Sequence, residues 1–280
     1  MKERFRQIYL EITNICNLQC PFCHKDNRKK EYMSLDDIKR VVDMCKPYTK
    51  CLYLHLKGEP LLHPDFSDIL EYLDDNSINI KITTNGDFLS KYQNDILKHR
   101  NILRMNISLQ SLVTKSIEEV DKYLANLIPF LEEVSKNGNM SVSLRLWNNK
   151  DDLKVTEYNN HIKKRLYEAF NSDFIDSKPL IDHIYASIED EFSWPTTNNI
   201  DNNYNSSCLG GSTHIGILVN KDVVLCCLDD EGKTKLGNLD ESSLKDIIES
   251  DKFKMIVESL RNGKYYFDIC RKCTYRNRFK

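Results

Sequence analysis

The chain has 280 residues, 40% of them hydrophobic, with 40 Lys and Arg against 42 Asp and Glu for a formal charge of −2. That content supports one large core, or a core with a small appendage, and the near-neutral balance leaves no basic stripe of the kind that grips a nucleic-acid polymer or an anionic membrane. The opening MKERFRQIYLEIT has no unbroken apolar region and no later stretch approaches a membrane span, so a soluble, cytoplasmic protein is expected, in which ten cysteines read as metal ligands and not as disulfides.

In chain order, short β-rich runs predict strands over 7–13, 51–57, 78–84, 102–110, 140–147 and 183–190. Helical patterns start near Ser34, Asp65, Phe88, Ser116 and Thr156. Ser34 with Asp37, and Ser116 with Glu119, have the spacing at which a hydroxyl and a carboxylate each satisfy an orphan backbone donor. Alternating strands and helices imply a parallel sheet.

Strand faces narrow the architecture. Leu103, Met105, Ile107 and Leu109 share one face, and Arg104, Asn106, Ser108 and Gln110 the other. Leu52, Leu54 and Leu56 likewise oppose Tyr53, His55 and Lys57, and Val142, Leu144 and Leu146 oppose Ser143, Arg145 and Trp147. A parallel strand covered by helices on both sides should be apolar on both. The pattern therefore predicts an α/β fold, an open, partial (β/α)6 TIM-like barrel with a polar lumen, in contrast to a closed barrel filled by side chains. A one-sided sheet whose polar face meets solvent is the alternative.

After this barrel, expected over 1–192, the Asn- and Ser-rich SWPTTNNIDNNYNSS at 193–207 reads as a linker. The remainder, 208–280, reads as a small module: THIGILVN and KDVVLCCLD predict a β-hairpin, a helix follows from about Ser243, and the tail carries CRKC.

The chemistry lies in the loops. CNLQCPFC places Cys16, Cys20 and Cys23 directly after the first strand, at the carboxyl end of the sheet where parallel α/β folds keep their active sites. Three thiolates on a [4Fe–4S] cube leave one iron open to an outside ligand; a zinc site completed by His24 is the alternative on spacing alone. GEP (Gly58, Glu59, Pro60) follows the second strand and TTNG (Thr83 to Gly86) the third. Gly58 permits close backbone approach and Glu59 supplies a carboxylate. Cys45, on a helical face, and Cys51, at the start of a strand, read as structural thiols.

The cysteine spacing, with Phe22 before the last thiol, and the GEP and TTNG motifs on the next strands resemble the radical S-adenosylmethionine enzymes over nearly the whole chain. The resemblance implies a [4Fe–4S] cluster on Cys16, Cys20 and Cys23, with the methionyl amino and carboxylate groups of S-adenosylmethionine on the open iron. Gly58, Glu59 and Pro60 would receive the methionyl ammonium, with Thr83 and Asn85 placed equivalently on the next loop. Ser108 and Gln110 match ribose-contacting positions, Gln110 standing where an acidic residue is common. Arg145 would meet the cofactor carboxylate or a substrate anion, or else form a structural ion pair. The family's chemistry is reductive cleavage of S-adenosylmethionine to a 5′-deoxyadenosyl radical that takes a hydrogen atom from substrate, the protein supplying orientation and a dry site. An electron donor such as flavodoxin or ferredoxin is then needed.

The C-terminal module resembles the Twitch auxiliary-cluster domain, a relative of SPASM. Cys208, Cys226, Cys270 and Cys273 would hold a second [4Fe–4S] cluster, with the choice between Cys226 and Cys227 open; a structural zinc ribbon is the alternative. The compact layout is similar to that of the queuosine lyases, which release queuine from queuosine or its 5′-phosphate. A 7-deazaguanine lacks the N7 that acid catalysis would protonate, so hydrogen abstraction from the ribose offers another route to cleavage. Under that resemblance Arg145 or Lys57 would meet the phosphate, Glu189, Glu191 or Asp229 the guanine-like edge, and Trp194 would stack on the base. The other expectations are a peptide maturase or epimerase, in which the auxiliary cluster or Cys227 takes part, and a non-enzymatic zinc or electron-transfer protein.

Overall fold

A computed structural model describes residues 4–25, 27–149, 151–191, 194–195 and 206–278. In chain order the regular elements begin with β1 (Gln7–Leu10), α1 (Leu35–Cys45), β2 (Cys51–Tyr53), α2 (Phe66–Asp75), β3 (Asn79–Thr84), α3 (Leu89–Lys98), β4 (Ile102–Ser108), α4 (Ile117–Asn137) and β5 (Ser141–Asn148). They continue with α5 (Leu153–Phe170), β6 (Pro179–Ile181), β7 (Ile184–Asp190), β8 (His214–Ile217), β9 (Asp222–Val224), β10 (Gly237–Asn238), α6 (Leu244–Glu249), α7 (Asp251–Arg261) and α8 (Asp268–Lys272). Two compact units result. The first combines Met1–Ile15, His24–Gly58 and Phe192–Lys280, and the second combines Cys16–Cys23 with Glu59–Glu191. Most of the linker expected at 193–207 lies outside the described residues.

Helices α1, α4 and α5 start where side-chain oxygens cap them. Ser34 accepts from Asp37 N at 3.2 Å, and α1 then buries Ile38, Val41, Val42 and Cys45, the spacing of one helical face. The Asp37 carboxylate turns back to the Ser34 hydroxyl, accepting from it at 3.0 Å, and also pairs with Arg40 at 2.8 Å and Lys221 at 3.2 Å. The capping box of α4 is complete: Glu119 N donates to Ser116 Oγ at 3.3 Å and Ser116 N donates to Glu119 Oε2 at 2.7 Å. Helix α5 begins before Thr156, because Asp152 caps it by accepting from Val155 N at 3.2 Å.

In the first unit the strands run β10-β9-β8-β1-β2. β1 is parallel to β2 on one edge and to β8 on the other, and the hairpin expected near residues 214–224 is the antiparallel β8–β9 pair. The register sets Tyr9 beside Tyr53, and their rings stack at 4.9 Å. β2 is shorter than expected, ending at Tyr53 ahead of Lys57.

In the second unit the order is β3-β4-β5-β7-β6, parallel but for the β6–β7 pair. β6, which the sequence pattern did not predict, is a short edge strand opening on proline, which an edge tolerates. Met105, Ile107, Val142, Leu144, Leu146 and Ile184 are buried on one face. On the other, Asn106 is 0% exposed and Ser143 3%, while Ser108 and Arg145 are half-buried and Arg104 is exposed, so that polar face is enclosed at its middle and open at its start. Two expectations fail at the ends of β4. Leu103 is exposed, and Leu109 and Gln110 have left the strand for a 3-10 helix over Leu109–Thr114. Among the described residues no helix is long and apolar enough to cross a membrane.

Candidate functional site

The segment after β1 that carries Cys16, Cys20 and Cys23 forms neither helix nor strand. Cys16 and Cys23 are exposed and Cys20 half-buried, and one backbone bond, Cys23 N to Cys20 O at 3.0 Å, turns the chain between the last two thiols. Burial pushes the Cys20 thiol up to about 12, and the neighbouring Cys23 and Cys16 sulfurs add to the shift; burial is also the first cause of the raised Cys16 thiol. Two thiols whose ionisation burial and the neighbouring sulfurs oppose fit a group that takes up their charge. Among the described residues no three His, Cys, Asp or Glu side chains are grouped to hold a single metal ion. His24, the proposed fourth zinc ligand, instead lies 3.3 Å from Asp230 through Nδ1.

Glu59 is 2% exposed and sits as cap of a 3-10 turn over Pro60–Leu62. Its Oε1 accepts from Leu61 N at 3.0 Å and Thr84 Oγ1 at 2.7 Å, and its Oε2 from Asn85 N at 2.7 Å. All three donors are neutral, and no ion pair to Glu59 occurs among the described residues. Burial accordingly pushes its carboxyl up to about 7 against those hydrogen bonds. A cationic amine is the partner this carboxylate calls for. Gly58 has φ +75, and a Cβ there would lie 2.4 Å from Thr13 O, so the close pass of the chain against the backbone of Thr13 and Asn14 requires glycine.

The TTNG loop serves both groups. Asn85 Nδ2 donates to Asn17 Oδ1 at 2.9 Å and lies 3.9 Å from Cys16 Sγ. Thr83 Oγ1 accepts from Asn106 Nδ2 at 3.2 Å. Three residues of this network were not singled out by the sequence reading: Thr84, which holds Glu59; Asp87, which accepts from Asn17 Nδ2 at 2.7 Å; and Tyr123, whose hydroxyl donates to Asn85 O at 2.9 Å. Thr84 lies within the quoted motif, and its alternation with Thr83 on β3 was the available signal; Tyr123 comes from α4 with no local one.

Ser108 and Arg145 are register partners on β4 and β5, which brings two of the expected cofactor residues side by side. Gln110 is 8% exposed, and its Oε1 is buried without a hydrogen-bond partner, a polar atom left for a ligand. The Arg145 guanidinium lies 4.4 Å from the Trp147 ring centroid. Phe22 is half-buried beside Cys23.

In the first unit, Cys208, Cys226, Cys270 and Cys273 line one cavity walled by Leu225 and Tyr265. Cys227 is not in that lining; its thiol hydrogen-bonds the Tyr9 hydroxyl. The geometry thus favours Cys226 as the fourth thiol. Burial raises all four thiols, so their thiolates need a charge-accepting group, and the set fits a cluster. Arg276 braces the site, donating to Cys270 O at 2.9 Å and Cys273 O at 3.3 Å while its guanidinium stacks 3.9 Å from the Tyr265 ring centroid. Cys45 and Cys51 are buried, as structural thiols are.

Of the expected substrate residues, Lys57 and Trp194 come together at 4.8 Å. Asp229 closes a turn, accepting from Lys233 N at 2.8 Å, Thr234 N at 2.6 Å and Thr234 Oγ1 at 2.5 Å. Its neighbour Asp230 faces Lys57 at 2.7 Å, a one-residue difference that composition could not reveal. Glu189 is half-buried and lines a cavity with Asn148, Asn159 and Lys163; Glu191 is exposed beyond β7.

Residues 10–139 match the radical SAM superfamily, and residues 208–274 match SPASM, an iron–sulfur cluster-binding domain. A probable GTP 3′,8-cyclase of Methanococcus maripaludis (strain C7) is 35% identical over 128 residues, 43% of this chain and 43% of that protein. Another from Methanocaldococcus jannaschii is 34% identical over 134 residues, 44% of each. The match therefore spans less than half the length of these curated relatives. Among solved structures, BtrN in complex with AdoMet and 2-DOIA aligns with TM-score 0.61 at 20% identity, covering 98% of this chain and 94% of that one. Streptococcus suis SuiB bound to precursor peptide SuiA aligns with TM-score 0.60 at 17% identity, covering 96% and 71%. At such identities the likeness carries the α/β fold alone.

Proposed function

Because the chain belongs to the radical SAM superfamily and carries a C-terminal SPASM iron–sulfur domain, we propose that it abstracts a hydrogen atom from a small nucleoside-type substrate. Family membership implies a [4Fe–4S] cluster and S-adenosylmethionine, with a further iron–sulfur cluster in the SPASM domain. Cys16, Cys20 and Cys23 are the residues to hold the first, and Cys208, Cys226, Cys270 and Cys273 the second. Bound there, the first cluster and S-adenosylmethionine supply a reductively generated 5′-deoxyadenosyl radical, with the electron coming from a flavodoxin- or ferredoxin-type donor. Glu59 receives the methionyl ammonium, Gly58 lets that group approach the backbone, and Gln110 offers its buried carbonyl oxygen to the ribose. Arg145 meets a carboxylate or phosphate. The observation that carries the reading is Glu59, a buried carboxylate held by three neutral donors with no ion pair among the described residues.

The nucleoside class is supported by the name of the curated relatives, probable cyclases of the nucleotide GTP. Within that class, queuosine or its 5′-phosphate, cleaved to release queuine in a lyase reaction, is the first substrate to test. A peptide substrate is the second reading, favoured by the fold shared with SuiB bound to its precursor peptide.

The test is anaerobic incubation of reconstituted protein with S-adenosylmethionine, a strong reductant and queuosine 5′-phosphate, read by mass spectrometry. Appearance of 5′-deoxyadenosine and queuine together, both lost in Cys16→Ala, is the expected result. Deoxyadenosine without queuine discards this substrate and moves the search to peptides and other nucleosides. Neither product from iron-loaded protein overturns the enzymatic reading.

A further inference from the structure

Three side chains, Asp230, Lys57 and His24, meet in the first unit. Asp230 is 3% exposed; its Oδ2 accepts from Lys57 Nζ at 2.7 Å and lies 3.3 Å from His24 Nδ1. Lys57 also donates to the His24 carbonyl, and its ammonium lies 4.8 Å from the Trp194 ring centroid. Burying an ammonium and a carboxylate is costly unless each meets its partner in good geometry. Such a pair therefore fixes the chain segments that carry it.

Those segments matter for what adjoins them. His24 directly follows Cys23, the last thiol of the first cluster loop. Lys57 directly precedes Gly58 and Glu59. Asp230 belongs to the loop that begins at Cys226, and the preceding Asp229 closes that loop on Thr234 at 2.6 Å. Each arm of the ion-paired group thus leads, within one to four residues, to a residue expected to hold a cofactor.

We propose that Asp230 is a positioning residue coupling the auxiliary-cluster loop to S-adenosylmethionine binding, a role that rests on the radical S-adenosylmethionine reading above. It acts through His24 and Lys57. When the auxiliary cluster orders the loop after Cys226, Asp230 is presented to both, and the segments ending at Cys23 and opening at Gly58 are held before the ligand arrives. Without that anchor, binding must itself order them, which lowers affinity. Because coupling is reciprocal, S-adenosylmethionine also steadies the auxiliary loop.

The experiment uses the full chain, reconstituted anaerobically, with iron and sulfide measured for each variant. S-adenosylmethionine is titrated into the reduced protein, and the change in the electron paramagnetic resonance signal of the first cluster gives Kd. Asp230→Asn is expected to keep its iron and raise Kd about tenfold, within the range usual for coupled sites. Removing the auxiliary cluster with Cys270→Ala and Cys273→Ala should raise Kd by a similar factor, and adding Asp230→Asn to that variant should change nothing further. A merely structural role would lower Tm and leave this constant in place. Wild-type affinity in Asp230→Asn, or two effects that multiply independently, overturns the proposal. Should Asp230→Asn fail to hold its iron, His24→Ala, which leaves the Lys57–Asp230 pair, must raise Kd by a smaller factor; an unchanged constant there overturns it equally. A wild-type signal that does not respond to S-adenosylmethionine overturns the underlying reading and the coupling with it.

Discussion

The two cysteine sites use the same side chain in opposite settings. Cys16 and Cys23 are exposed and Cys20 half-buried on a segment without regular structure, whereas Cys208, Cys226, Cys270 and Cys273, all half-buried, line a cavity braced by Arg276, itself 2% exposed. The first set has three thiols beside a carboxylate waiting for a cation; the second has four thiols and an apolar wall. Accessible, incomplete ligation suits a site that must admit another molecule, and enclosed, complete ligation suits one that must not.

The sharpest way to break that comparison is to empty each site in turn. Cys20→Ala should remove half of the bound iron and reduce 5′-deoxyadenosine formation to background while hardly moving Tm, because its loop carries little packing. Cys270→Ala should remove the other half of the iron and lower stability by several kcal/mol, since binding energy at an enclosed site is folding energy. Iron analysis with thermal unfolding checks both, and equal changes in Tm would erase the distinction.

Glu59→Gln comes next, with S-adenosylmethionine affinity reduced by about 10- to 100-fold as a charged hydrogen bond of roughly 1.5–3 kcal/mol is lost. The wild-type affinity should rise with pH through about 7, where the Glu59 carboxyl ionises, and the variant should show no such rise in calorimetric titrations. The unliganded fold behaves in the opposite sense. A carboxyl raised above its ordinary 4.5 binds its proton more tightly folded than unfolded, so its stabilising contribution is full below that value and is lost as pH climbs through about 7. The smallest effect is Ser116→Ala, which should cost about 1 kcal/mol through the cap of α4 and leave S-adenosylmethionine affinity unchanged; a change in affinity would show that α4, through Tyr123, transmits strain to Asn85.

Much of this was legible in the sequence because it is local. Ser34 and Ser116 cap helix starts where expected, since a cap acts within one turn, and α2 starts at Asp65 as its pattern predicted, although that side chain makes no cap bond. Three of the six expected strands, β3, β5 and β7, match to within a residue at each end, but β1, β2 and β4 stop short of their expected ends, and Lys57 and Gln110 lie beyond β2 and β4, where parallel strands give way to irregular loops whose course depends on distant partners. Asp152 pre-empted Thr156 as the start of α5 because a carboxylate caps better than the pattern of apolar residues could reveal. β6 was too short to show any period.

The sequence by itself determined the ligand inventory: thiols at 16, 20 and 23, the GEP and TTNG loops, and the paired cysteines of the tail, because ligands that share a loop must be close in the chain. Only the tertiary structure decided between neighbours. Cys226 lines the cavity while Cys227 bonds Tyr9; Thr84, beside Thr83, holds Glu59; Asp230, beside Asp229, meets Lys57. A shift of one residue turns a side chain to another face, and which face is used depends on partners far away in sequence.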